Sequence, residues 1–274
     1  MRPVFPSMAI LSLVTIFTTS SASSAVPAIV RETRTVVVHG VPETWQLVWI
    51  GKPISMCGPR DVDMATTCPC AGTAYGEAGN LWLVRRRGGR EIERMDLKPL
   101  FGHFDYPDAD RGKDKAILQR WPMKDSDWKD LDHPPSATTI ERRPPVHIMK
   151  MADYDHDGHA TEFLLQVGTL PCGKLQSVAI GLTQQNPHLH ALSTVERPGT
   201  PLMMSVRAWQ ALLKSPGPTT VDDWDCGDHA SEEHDDLVVS ARHGDIHVKF
   251  HRWSCPTGKE KPKLIQEGIW PRTD

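Results

Sequence analysis

MADYDHDGHATEFLLQVG, residues Met151 to Gly168, sets three aspartates at alternate positions, follows them with a glycine, and closes on an apolar run. The segments on either side, "HIMKM" and "EFLLQVG", are short and rich in β-branched or bulky apolar residues, so they read as strands rather than helices. A strand–loop–strand reading here commits the surrounding chain to β structure.

Working outward, the same signature recurs. "TVVVHG", "TWQLVWI", "LWLVR", "AILQRW", "PVHIMKM", "SVAIGL", "LHALSTV", "DLVVSA" and "IHVKFHRW" are separated by clusters of Gly, Pro, Asn or Asp. "RHGD" (Arg242 to Asp245) reads as a tight turn between the last two of these. "RRRGGR" (Arg85 to Arg90) reads as a hairpin tip between "LWLV" and "EIERMDL", its arginines solvating the turn. One helix is expected: Ser205 caps it, Val206, Trp209 and Leu213 share a face, and Pro216 with Gly217 ends it. With 23 prolines in 274 residues, edge strands and loops suit the chain better than long helices. The expected fold is mostly β, in antiparallel sheets (a sandwich or a partial propeller-like arrangement) with one short helix and disulfides.

The aspartate loop has the chemistry of a hard-cation site. Calcium takes about six to eight oxygen ligands, and alternate residues of a tight loop converge on one point. Asp153, Asp155 and Asp157 hold the first, third and fifth places, and Gly158 permits the bend at the sixth. The His159 carbonyl falls at the seventh place and Thr161 at the ninth. The twelfth, where a helical EF-hand needs a bidentate glutamate, is Leu164. Three crowded carboxylates repel one another unless a cation lies between them.

Over about a dozen residues this loop resembles the calcium loops of FG-GAP (integrin-type) and VCBS repeats, D-x-D/N-x-D-G-x-x-D. The resemblance implies a structural Ca2+ in a secreted or surface protein, often an adhesive one built as a β-propeller. The carboxylate expected at the ninth place is Thr161 here, and an acid, Glu162, comes one place later, where strand alternation turns it away from Thr161 and Phe163. Only one such loop is present and no propeller-like period accompanies it, so a whole propeller does not follow.

Residues 1–25 read as a secretory signal: Arg2, the apolar core "MAILSLVTIF" (Met8 to Phe17), and small residues "SSA" (Ser23 to Ala25) for cleavage. That core is too short to span a bilayer, and no other apolar run reaches spanning length. The expected location is secreted or periplasmic. Lys and Arg number 31 against 34 Asp and Glu, a net charge of −3. Loss of Arg2 takes this to about −4, a balance that argues against a nucleic-acid partner. Six cysteines, Cys57, Cys68, Cys70, Cys172, Cys226 and Cys255, point to disulfides in an exported chain. The preferred local pair is Cys226 with Cys255. A Pro-rich connector, 124–145, separates an N-terminal β region (26–123) from a C-terminal one (146–274). Three cysteines lie on each side, so full pairing sends an odd number of bonds across the connector and staples the two regions into one unit.

Other motifs point elsewhere with less force. "DDWDCGDHASEEHDD" (Asp222 to Asp236) is dense in acids and imidazoles, but no H-E-x-x-H motif is present. "HLH" (His188 to His190), and His247 with His251, could present imidazole pairs to zinc or copper. "CPC" (Cys68 to Cys70) with Cys57 could bind copper, and Trp121 with Trp128 could stack on a sugar. "GTLPCGKL" has Walker-A spacing but carries Leu175 where magnesium needs Ser or Thr. No catalytic signature stands above background. The favoured function is a non-catalytic calcium-binding envelope or extracellular protein whose partner is a glycan or another protein. The alternatives are a secreted hydrolase acting on polysaccharide or ester, and a metal-handling protein built on His and Cys.

Overall fold

Three antiparallel sheets account for the chain in the computed structural model, which describes residues 26–58, 72–101, 115–129, 133–170, 174–256 and 260–272. The first sheet contains β1 (Ala28–Val38), β2 (Val41–Met56), β3 (Gly76–Arg87) and β4 (Arg90–Asp96) in that order. β5 (Ala116–Gln119) pairs with the other end of β3. Two short helices, α1 (Ser126–Lys129) and α2 (Ala137–Glu141), follow in the connector. The second sheet contains β6 (Phe163–Leu170), β7 (Lys174–Gly181) and the two-residue β8 (His190–Ala191), with β9 (Met204–Ser205) also on β7. Helix α3 (Val206–Lys214) leads into the third sheet, β10 (Thr219–Trp224), β11 (Glu233–Arg242), β12 (Asp245–Ser254) and β13 (Leu264–Ile269).

The second sheet lies between the other two, and its sequence explains why. Phe163, Leu165 and Val167 of β6 and Val178 and Ile180 of β7 are buried in one core with Trp45, Leu47 and Trp49 of β2 and Leu81 and Leu83 of β3. On the opposite face Ala179 joins a second core with Trp209 and Leu212 of α3 and Leu237, Val239, Val248 and Phe250 of the third sheet. A strand covered on both faces has no polar side to present, so it reads as a continuous apolar run. "SVAIGL" is such a run, and "FLLQVG" departs from it only at Gln166, which is partly exposed. By contrast β12 alternates: Ile246, Val248 and Phe250 are buried while Asp245, His247 and Lys249 are exposed. The first core draws residues from both sides of the connector, Val36 to Leu118 before it and Met149 to Leu189 after it.

Four expectations change in detail. "PVHIMKM" forms no named strand; its backbone is satisfied by a side chain instead. Glu32 accepts from the Ile148 and Met149 amides at 2.7 and 3.3 Å, and Val146 N donates to Arg120 O. In "LHALSTV" only His190–Ala191 pairs as strand. The connector carries two short helices rather than a plain polar link. It is held by Arg143, which grips buried Asp127 with two bonds of 2.6 and 2.8 Å. The arginines at the β3–β4 tip do not all solvate the turn: Arg85 is buried, and both it and Arg87 are drawn onto the buried carboxylate of Glu43.

Helix α3 begins as expected, with Ser205 Oγ accepting from Ala208 N. Its buried face is Ala208, Trp209 and Leu212, and Leu213 is turned outward. Cys226 and Cys255 are paired, with Cα atoms 5.7 Å apart, joining the end of β10 to the end of β12. Cys57 is disulfide-bonded as well, while Cys68, Cys70 and Cys172 lie outside the described residues, as do residues 1–25.

Trp209 is the largest side chain of α3 and is fully buried. Its indole donates to Ser177 O at 3.0 Å, and its ring meets Tyr154 edge-on at 5.7 Å. Trp209→Ala is expected to destabilise the protein by about 3–5 kcal/mol, measured by urea denaturation. A loss below about 1 kcal/mol would mean that the second core does not depend on α3.

Candidate metal centre

The loop leaves an isolated bridge between Ala152 and Glu162, which exchange backbone hydrogen bonds of 2.8 and 3.2 Å and close its root. Inside, the aspartates first organise the backbone. Asp153 accepts from the amides of Asp157 and Gly158, both at 3.1 Å, and Asp155 Oδ1 also accepts from Asp157 N. Asp157 Oδ1 accepts from His159 N at 2.8 Å. Gly158 adopts φ +93°, the left-handed region a side chain resists, as the sixth place of such a loop requires.

Asp153, Asp155 and Glu162 each bring a carboxylate oxygen to within 4.8 Å of the other two, and this cluster could hold a metal ion. Asp155 and Glu162 are fully buried. Glu162 accepts from Tyr154 N at 2.9 Å and from the Thr161 hydroxyl at 2.6 Å, a hydroxyl that also lies 3.1 Å from Leu182 O. Asp155 Oδ2 is buried with no hydrogen-bond partner. The chain therefore supplies Glu162 with donors but leaves one carboxylate oxygen of Asp155 without any. Strand alternation is expected to turn Glu162 away from Thr161, but the Thr161 hydroxyl donates to it, and Asp153 and Asp155 of the loop meet it from the other side of the Ala152 bridge. Close packing of β7 is required here: a Cβ on Gly181 would sit 2.2 Å from Thr161 O.

Of the six expected ligating residues, three thus come together. Thr161 reaches the cluster through Glu162, Asp157 lies outside it, and the exposed His159 ring meets His39 edge-on at 6.0 Å. Reading by loop position left the part played by Glu162 open, because it belongs to the following strand. It also missed the clamps around the loop. His156, at φ +54°, donates from Nε2 to Leu212 O in the last turn of α3 at 2.6 Å. Gly244 N donates to Asp155 O and His243 N to His156 O, so the β11–β12 turn docks on the loop.

Electrostatics mark the cluster out. Burial, then the neighbouring Asp157 and Asp153, pushes the Asp155 carboxyl up to about 7. Burial above all, with Asp155 adding to it and the Thr161 hydrogen bond opposing, raises Glu162 to about 9. Both groups keep a proton to higher pH than an ordinary carboxyl does.

The other candidates are absorbed by structure. Asp235 is held by Arg252 and Arg272, and Asp236 by His251 and the Trp253 indole. His188 faces Glu93 and His247 faces Glu196, so the histidine pairs do not converge on a common ligand position. Trp121 packs against Tyr75 and Ile140 and carries Arg120 over its ring. Lys174 of the Walker-like stretch opens strand β7, not a helix. Among the described residues no helix is long and apolar enough to cross a membrane. Compared with protein-family models, curated proteins and solved structures, the chain matches none.

Folded-state values raised above those of the unfolded chain mean that these two carboxyls contribute stability below about pH 4, and that this contribution drains away as pH rises through about 7 and 9. A divalent cation held by the cluster would replace the protons. Its stabilising increment, the melting temperature with cation minus that with EDTA, is therefore expected to grow steadily from pH 5 to pH 8. An increment that shrinks over this range would contradict a site formed by Asp155 and Glu162.

Proposed function

We propose that this is an exported, disulfide-stapled protein in which Asp153, Asp155 and Glu162 hold a structural calcium ion, and that its role is binding rather than catalysis. The observation that carries the reading is the buried, unpartnered Oδ2 of Asp155 beside two further carboxylates. The donor set is oxygen only, with no imidazole or thiolate, which favours calcium over zinc or copper. The loop spacing that resembles FG-GAP and VCBS calcium loops supports the same ion. Two paired cysteines, and Cys57 in a further disulfide, suit an oxidising compartment and with it the secretory reading of residues 1–25. Of the eight acids at 222–236 that a hydrolase would draw on, Asp228, Glu233, Asp235 and Asp236 are held by Lys174, Arg252, Arg272 and His251, which weakens the hydrolase reading for those four.

With a dissociation constant one to two decades below the free calcium level, occupancy stabilises the fold by roughly 1.4–2.7 kcal/mol. Calorimetric titration of the EDTA-stripped protein is expected to give one calcium site, and the melting temperature should fall with EDTA and recover with calcium. Asp155→Asn should abolish that response while keeping or raising the metal-free melting temperature, because it removes a buried charge from a repelling group. A wild-type melt indifferent to both calcium and EDTA would remove the proposal.

A further inference from the structure

A second polar site lies away from the loop, in a cleft of about 270 Å³ between the start of β7, the first turn of α3 and the end of β10. Two hydrogen-bond acceptors in its wall lack a donor among the described residues, one buried and one, Asp223, partly exposed. Gln176 Oε1 is buried without a partner. Among the described residues no group donates to the Asp223 carboxylate, which burial raises above its ordinary value despite Lys174 and Arg272 nearby; Asp235 adds to the rise. Asp223 is the extra residue of a β-bulge, since Asp222 pairs with Asp236 and Trp224 with Asp235. Bulges take a side chain out of the regular ladder and are frequent beside binding sites.

The cation nearest to Asp223 does not satisfy it. Lys174 Nζ donates to the Asp223 carbonyl at 3.0 Å, pairs with Asp228 at 2.8 Å and lies 4.1 Å from the Trp224 ring centre. The cleft wall carries Asp222, Asp223 and Asp225 against Arg207 and Lys174, an excess of one negative charge, with Lys174 already paired to Asp228. Met203 and Trp270 supply an apolar wall, fixed by the bond from the Trp270 indole to Met203 O. The Cys226–Cys255 disulfide anchors the rim next to Asp225.

We propose that this cleft binds a cationic group with several N–H donors, an ammonium or guanidinium, with Asp223 and Gln176 accepting from it and the apolar wall lying along its alkyl stem. Its source is either a free di- or polyamine or a basic side chain of a peptide; the chemistry is the same. The site is independent of the calcium loop.

The test is calorimetric titration of the full-length oxidised protein with agmatine, with acetyl-Gly-Arg-Gly-amide, and with the same peptide carrying uncharged citrulline for arginine. Agmatine or the arginine peptide is expected to bind, and the citrulline peptide at least about tenfold more weakly. Preference for agmatine identifies a free amine as the source, and preference for the peptide a chain side chain. Asp223→Asn should weaken binding about tenfold or more. Arg207→Ala should tighten it by removing an opposing charge from the wall. Gln176→Met, at a less charged position, provides the second reading if Asp223→Asn fails to fold, and should weaken binding several-fold. Absence of binding by both cations, equal binding of the citrulline peptide, or weaker binding by Arg207→Ala would each overturn the proposal.

Discussion

The β6–β7 hairpin is covered on both faces, and the rest of the molecule is arranged around that constraint. The buried parts of that hairpin cannot admit an unpaired charge, yet β6 is preceded immediately by Glu162, buried as fully as Phe163 and Leu165. Asp155 and Asp153 are brought to within 4.8 Å of it. At that separation and an effective dielectric of about 20, two ionised carboxylates repel by about 3 kcal/mol. A few backbone donors offset part of this. The remainder calls for a proton or a cation, and the choice between them is set by pH and ion supply.

Elsewhere the chain supplies its own cations. Burial pushes the Glu43 carboxyl up, but Arg85, Arg87 and the Trp45 indole hold it below its usual range. Arg143 does the same for Asp127, and Arg252 with Arg272 for Asp235. In each of these the arginine comes from another strand or segment, so the ion pair also ties distant parts of the chain together. Asp155 and Glu162 lie on the other side of that divide: both are raised, and among the described residues no Lys or Arg side chain is bonded to either. A protein that neutralises buried Glu43, Asp127 and Asp235 with arginine and leaves this pair without one among the described residues has the electrostatics of a site that could be completed from solution.

Much of this was legible in the sequence, for reasons that differ between elements. Period and punctuation mark β2, β3, β11 and β12, because each has a face or an end that contrasts with its surroundings. The Ser205 cap and the Cys226–Cys255 pair are local, and local chemistry is what a sequence carries best. The outward turn of Leu213 was not legible: on so short a helix Val206, Trp209 and Leu213 and the observed set Ala208, Trp209 and Leu212 are both acceptable faces, and the third sheet chooses between them. Nor was the fate of "PVHIMKM", whose amides are taken by Glu32 from more than a hundred residues away. At the acidic cluster the alternate aspartates announced the loop. The burial of Glu162 depends on the loop folding back across the strand, and the close approach of Gly181 depends on β7 arriving beside it.

The loop's attachments explain why one such element is enough here, where a propeller would repeat it. Asp155 contributes its carboxylate to the cluster and its carbonyl to Gly244 of the β11–β12 turn. Tyr154 donates its amide to Glu162 and sets its ring against Trp209. His156 reaches the C-terminal turn of α3, where an exposed carbonyl and the negative end of the helix dipole both favour a donor. Three consecutive residues therefore join the central sheet, the helix and the third sheet. Neutralising the carboxylates at their centre stabilises one junction that all three elements share. In a repeat architecture each loop closes only its own blade, and stability accumulates by addition. Here the layers converge on one loop, so the electrostatic balance at Asp155 and Glu162 bears on the packing of the second core as a whole.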